Sequence, residues 1–159
     1  MPRGGVSGFS PEALRRAMQR AEVSAEELAT LIGLTRQAVQ KWLRGDSSPA
    51  PRSLPRIAEA LGVDPAQLTP GATAAPRLSD LRVRAGLSQV ETAERLGIGA
   101  TTLRGLEAGT HRELSPELAD AIADLYSVTA EEVAGAHAAS LETRAKWASA
   151  RITARRNRN

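Results

Sequence analysis

The sequence predicts an all-α protein: two tandem copies of one helical module, followed by a basic C-terminal helix or tail. Three observations carry this reading. First, residues 14–45 align with 78–109 at a constant offset of 64, pairing Leu14 with Leu78, Ser24 with Ser88, Glu27 with Glu91, Ala29 with Ala93, Gly33 with Gly97 and Gly45 with Gly109. The offset then becomes 65, and Ile57, Ala58 and Val63 pair with Ile122, Ala123 and Val128; self-similarity at a fixed period marks a repeated structural unit. Second, helix starts are well marked in both copies. Third, apolar and polar residues do not alternate with period two, so no sheet is expected.

Helices are expected near 10–21, 24–32, 36–44, 53–61 and 65–69, and again near 77–85, 88–96, 100–108, 116–126 and 130–135. In Ser24-x-x-Glu27, Ser88-x-x-Glu91 and Thr129-x-x-Glu132 a hydroxyl can take an orphan backbone N–H while the Glu reaches back to the cap. Asp64-Pro65 and Ser115-Pro116 place a capping side chain before a proline at the first helical position. Pro55 lies inside the fourth pattern, which sets that helix to start at Ser53. The run TPGATAAPR, rich in Pro, Gly and Ala, reads as a connection between the modules. The resulting division is a flexible N-terminus (1–9), module one (10–69), a linker (70–76), module two (77–136) and a basic C-terminal helix or tail (137–159).

Composition narrows the function. Hydrophobic residues make up 42% and charged residues 25%, a normal balance for a folded soluble chain. There is no Cys, which excludes disulfides, thiolate metal sites and a Cys nucleophile. Two histidines, His111 and His137, are a poor basis for a His metal site or triad, and aromatics are only 3%, too few for a large aromatic pocket. No Gly-rich phosphate loop or pair of catalytic carboxylates beside a His is present. The expectation is therefore no catalytic residues, no metal, no cofactor and no enzyme. No apolar run approaches the roughly 20 residues that span a bilayer, and the first residues lack the apolar core of a signal peptide. No membrane association is expected, and the protein is placed in the cytoplasm or nucleoid of a bacterium.

Charge is unevenly spread. Residues 1–72 carry +2, residues 73–136 carry −4 and residues 137–159 carry +5. All but two of the basic residues, Lys41 and Lys146, are Arg, whose planar fork suits phosphate and base edges.

Two short helices that cross steeply need small residues at the crossing and a residue tolerant of positive φ at the turn. Module one supplies Ala29 and Gly33, with Val39 and Trp42 to pack the next helix back. Module two supplies Ala93, Gly97, Leu103 and Leu106 at the same spacings. The segments SAEELATLIGLTRQAVQKWLRG and SQVETAERLGIGATTLRGLEAG resemble the helix-turn-helix of the Xre/Cro-repressor family. The following SLPRIAEALGVDPAQL and SPELADAIADLYSVTAEEV resemble that family's last two helices. The resemblance covers about 120 of the 159 residues. It implies two five-helix, lambda-repressor-like domains, each with a third helix able to enter the major groove of double-stranded DNA, and binding as a homodimer.

On a helical wheel of 36–44, Ala38, Val39, Trp42 and Leu43 fall on one side and Arg36, Gln37, Gln40, Lys41 and Arg44 on the other. That outer face has three cations, two amides and no acid. Arg suits guanine O6 and N7, Gln suits adenine N6 and N7, and the resemblance places Arg36, Gln37 and Lys41 at base-reading positions. The matching face of module two is Ala100, Thr101, Arg104, Gly105 and Ala108, where Thr101 and Arg104 are the useful donors. Against this, module two has Gln89 where the family places a phosphate-contacting Gln, while module one has Ala25. Base reading is thus assigned to Arg36, Gln37, Gln40, Lys41, Thr101 and Arg104. Phosphate contact is assigned to Arg44, Arg52, Gln89, Arg112 and, in the tail, Arg151, Arg155 and Arg156. Module two is either a weaker reader or a surface for a protein partner.

The resemblance also implies an ion pair between the first helix and the end of the recognition helix. Module two has Arg82 and Glu107 there; module one has Met18 and Leu43. In the tail, Leu141, Ala145, Ala148 and Ile152 make a narrow apolar stripe over a helix expected at 138–156, and 154–159 are expected to be unstructured without DNA. The functional expectation is a sequence-specific, repressor-like transcriptional regulator that reads DNA mainly through helix 36–44. The alternatives are an adaptor or antitoxin-like protein whose second domain binds a protein, or a non-specific architectural DNA-binding protein.

Overall fold

The computed structural model describes residues 5–6, 8–70 and 75–157, and all regular structure among them is helical. The chain divides into two compact units, residues 1–74 with 83–88, and residues 75–82 with 89–159. Most of the linker expected at 70–76 lies outside the described residues.

In the first unit, α1 (Pro11–Ala21), α2 (Ala25–Ile32), α3 (Arg36–Arg44) and α4 (Ser53–Leu61) are followed by one 3-10 turn (Pro65–Leu68) where a fifth helix was expected. The starts are chemical. Ser10 Oγ accepts from Ala13 N–H at 3.1 Å, and Ser24 and Glu27 form the reciprocal box that precedes α2. Asp64 does the same with Gln67 before the turn. Gly33 sits at φ 68° between α2 and α3, the left-handed conformation a tight turn requires. Leu14, Leu28, Ile32, Val39, Trp42, Leu54, Ile57 and Leu68 form the buried centre; each such side chain contributes roughly 1.5–3 kcal/mol on burial.

The N-terminal segment differs from expectation. Val6 is buried in the core and its N–H donates to Pro49 carbonyl at 2.9 Å, while Phe9 packs against the same cluster. A short apolar pair flanking Ser7 and Gly8 carries too little periodicity to register as core in the sequence. Residues 1–4 and 7 lie outside the described residues.

The second unit takes α5 (Leu78–Arg84) up to Arg82, then α6 (Gln89–Leu96), α7 (Ala100–Ala108), α8 (Pro116–Tyr126) and α9 (Ala130–Arg156). The expected short helix at 130–135 and tail helix at 138–156 are one continuous helix of 27 residues. Nothing between them breaks a helix, and Gly135 meets open space. Residues 154–156, expected to be unstructured, are helical; Arg158 and Asn159 lie outside the described residues.

The first half of α9 is core. Val133, Ala136, His137, Ala139 and Ser140 are buried, and the helix packs on α7 and α8. Ser140 Oγ accepts the Leu78 N–H at 3.4 Å at the start of α5 and donates to Ala136 carbonyl. The tail expected to begin at 137 therefore begins after Ser140.

Candidate nucleic-acid interface

The second helix of each crossing pair, α3 or α7, carries the outward polar face. On α3, Val39 and Trp42 are buried against the core. Arg36, Gln37, Lys41 and Arg44 are exposed and Gln40 is half-buried beside them. Both ends of α3 are fixed. Thr35 Oγ1 accepts from Ala38 N–H at 3.3 Å, and the Arg15 guanidinium donates to Leu43 carbonyl at 2.9 Å. Gly45, at φ 78°, ends the helix. The Arg44 guanidinium is drawn to Asp46, with Nε 2.8 Å from Oδ2. Arg44 is thereby partly neutralised, and Arg36 and Lys41 carry the positive field of this face. Arg52 is exposed immediately before α4, where it makes no side-chain capping bond.

On α7 the corresponding surface is different. Thr101 and Arg104 are exposed, but Gly105 is buried. A Cβ at Gly105 would strike the His111 imidazole, because the loop after α7 folds back over the helix. The His111 and Thr110 N–H groups donate to Gly105 carbonyl at 3.1 and 2.9 Å. His111 Nδ1 lies 3.3 Å from Thr102 carbonyl, and the buried His137 reaches the His111 carbonyl through Nε2 at 2.9 Å. At the C-terminal end a Cβ on Gly109 would strike the backbone of Ser140 in α9. The wheel placed Gly105 on the open face; the loop return that covers it leaves no periodic signal. Arg112 is exposed in that loop.

Gln89 makes an internal contact that its position in the sequence does not announce. Its amide nitrogen donates to Glu107 Oε2 at 2.7 Å, joining the buried pair in which Arg82 Nε and Nη2 donate to Glu107 Oε1 and Oε2 at 2.5 and 3.2 Å. The half-buried Gln89 thus closes a three-residue network inside module two.

Nearby, burial pushes the Tyr126 phenol up to about 12. The Thr92 hydroxyl offsets part of that rise, Glu107 adds to it and Arg82 opposes it.

In α9, residues 142–157 are exposed except for the half-buried Ala148. Arg144 and Arg151 lie over the Trp147 indole at 4.4 and 4.9 Å from its centroid. The i, i+3 and i+7 spacing of Arg144, Trp147 and Arg151 is the sequence signal for this cluster.

Residues 14–68 match the family described as Helix-turn-helix, and residues 75–136 match the family described as Helix-turn-helix domain. No curated protein and no solved structure matches the chain. Fold and family matches together define a DNA-binding protein of the helix-turn-helix class. Its two tandem domains are of the Xre/Cro type. No described helix is long and apolar enough to cross a membrane.

Proposed function

We propose that the chain is a sequence-specific transcriptional regulator of repressor type. It acts by binding alone, without catalysis, and reads the major groove of duplex DNA mainly through α3. The observation that carries this reading is the chemistry of that helix. Arg36, Gln37 and Lys41 are presented outward with Gln40 at their margin, no acid stands on α3, and Val39 and Trp42 lock the opposite face. In this reading Arg36 and Lys41 address guanine edges, the two Gln address adenine, and Arg44 and Arg52 hold phosphates.

Module two contributes Thr101 and Arg104 as a lesser reading pair, with Arg112 on the backbone. A second reading of this module, as a contact for a protein partner, is favoured by one observation: His111 covers Gly105 and so reduces the surface α7 offers to a groove.

The test is selection of bound duplexes from a random pool with the full chain. An Arg36→Ala/Gln37→Ala variant and a Thr101→Ala/Arg104→Ala variant are run in parallel. A motif lost in the first variant, with one half-site degraded or none changed in the second, supports α3 as reader. A motif untouched by the first variant overturns that assignment. Enrichment of nothing by the unmodified chain overturns sequence-specific regulation and directs attention to a partner of module two. Half-site spacing reports whether one chain or a symmetric pair occupies the site.

A further inference from the structure

We infer that the free half of α9 is a second DNA-contacting element, a row of guanidiniums that follows the phosphate backbone and is held in order by Trp147. The inference rests on the DNA-binding reading of the chain and is independent of which helix reads bases.

The geometry is that of a row. At 100° per residue, Arg144, Arg151 and Arg155 fall within an arc of about 40° on one side of α9. At 1.5 Å per residue, they are spaced by about 10 Å and about 6 Å along the axis. All three are exposed. The one acid after residue 136 that could offset them, Glu142, lies on the opposite side and is paired with Lys146 at 2.7 Å. Arg156, the third tail residue assigned to phosphate from sequence, lies about 100° away from the row, so Arg144 takes its place in the set.

Trp147 adds order. It sits beside the row, and the Arg144 and Arg151 guanidiniums both lie over its ring. Cation–π contact holds two long side chains that would otherwise sample many rotamers. A ring already carrying two cations serves as a scaffold for them rather than an open platform for a base, which favours phosphate over stacked single strands as the ligand. A duplex carries one negative charge per about 1.7 Å of axis, so a straight cationic row meets a complementary surface. Self-pairing of this face would set like charges against each other. A lipid surface would require a broader apolar side than Trp147 and Ile152 supply.

The experiment measures affinity of the full chain for a random-sequence duplex of about 30 base pairs across a salt series. Arg144→Gln/Arg151→Gln/Arg155→Gln removes three phosphate contacts. The slope of log affinity against log salt should become shallower by roughly 2.5 to 3, while Arg156→Gln leaves it nearly unchanged. Trp147→Leu keeps every charge; it should weaken binding several-fold at unchanged slope. Duplex addition should also change indole emission of the native chain, and that change should be smaller in Trp147→Leu, where Trp42 of α3 is the remaining indole. Equal slopes for the native chain and the triple variant, with duplex binding intact, overturn the inference and leave the DNA-binding reading standing. The same slope loss from Arg156→Gln as from each residue of the row also overturns it, because charge rather than the ordered row would then be acting. Failure of the native chain to bind any duplex would sink both.

Discussion

Arg82 grips both oxygens of Glu107 inside module two, and the equivalent positions of module one are filled by Met18 and Leu43. The two modules have solved one packing problem in two ways, and neither contains half of the other's solution. Side chains of the pair are only 10% and 5% exposed, so the charges have left most of their water behind. Removing one partner strands the other, whereas exchanging both for apolar groups of similar volume can be neutral. Glu107→Leu alone should destabilise the second unit by about 3–5 kcal/mol, since Gln89 also loses its acceptor. Arg82→Met/Glu107→Leu, which imports module one's pair, should recover most of that loss. Urea unfolding of the two variants checks the prediction, which fails if the double variant is as weak as the single.

Gly105 offers a second asymmetry. In an exposed helix, replacing Gly with Ala gains roughly 1 kcal/mol. Here the new methyl would meet the His111 ring, so Gly105→Ala should lower the melting temperature of the second unit instead. Combining it with His111→Ala should restore the ordinary gain. The double variant should exceed His111→Ala in stability by up to about 1 kcal/mol; equal melting temperatures for all three proteins would mean the loop yields freely and does not constrain α7.

Much of this architecture is legible in the sequence, for local reasons. Ser24 with Glu27, Ser115 before Pro116 and Thr129 with Glu132 are chemical signals read within one turn, and each cap is found where the spacing puts it. Helices 36–44, 53–61, 100–108 and 116–126 have the expected bounds. The Arg82–Glu107 pair followed from resemblance and is present. What escaped depends on contacts far apart in the chain. Ser140 meeting Leu78 spans 62 residues, and Val6 meets Pro49 from the far side of the first three helices. The Gln89 contact with Glu107 is of the same kind: a buried carboxylate oxygen that already accepts from Arg82 can accept a second hydrogen bond and takes it from the amide, and periodicity says nothing of that.

Ser127 closes α8 in the left-handed region at φ 55°, where the matching residue of module one is Gly62 at φ 64°. A residue with a Cβ costs roughly 1–2 kcal/mol there, partly offset in a comparison with Gly by the greater freedom of an unfolded glycine. Ser127→Gly should raise stability of the second unit by about 0.5–1 kcal/mol. A fall in thermal midpoint would show that the Ser side chain compensates its backbone.

Tyr126 sets an alkaline limit on the second unit. Its phenol is pushed up to about 12 by burial, from an ordinary value of 10.0. Below pH 10 the hydroxyl is protonated in both folded and unfolded chains, and its contribution to stability is fully present. Between about 10 and about 12 the unfolded chain ionises first, so unfolding is increasingly favoured and the contribution is lost as pH rises through the folded value. That difference corresponds to about 3 kcal/mol at full ionisation. Tyr126→Phe keeps the ring and removes the proton, so its stability between pH 9 and 12 should lack the component seen in the native chain. Urea midpoints measured across that range decide the matter, and parallel pH curves for native and Tyr126→Phe proteins would mean that the phenol ionises as freely in the fold as in water.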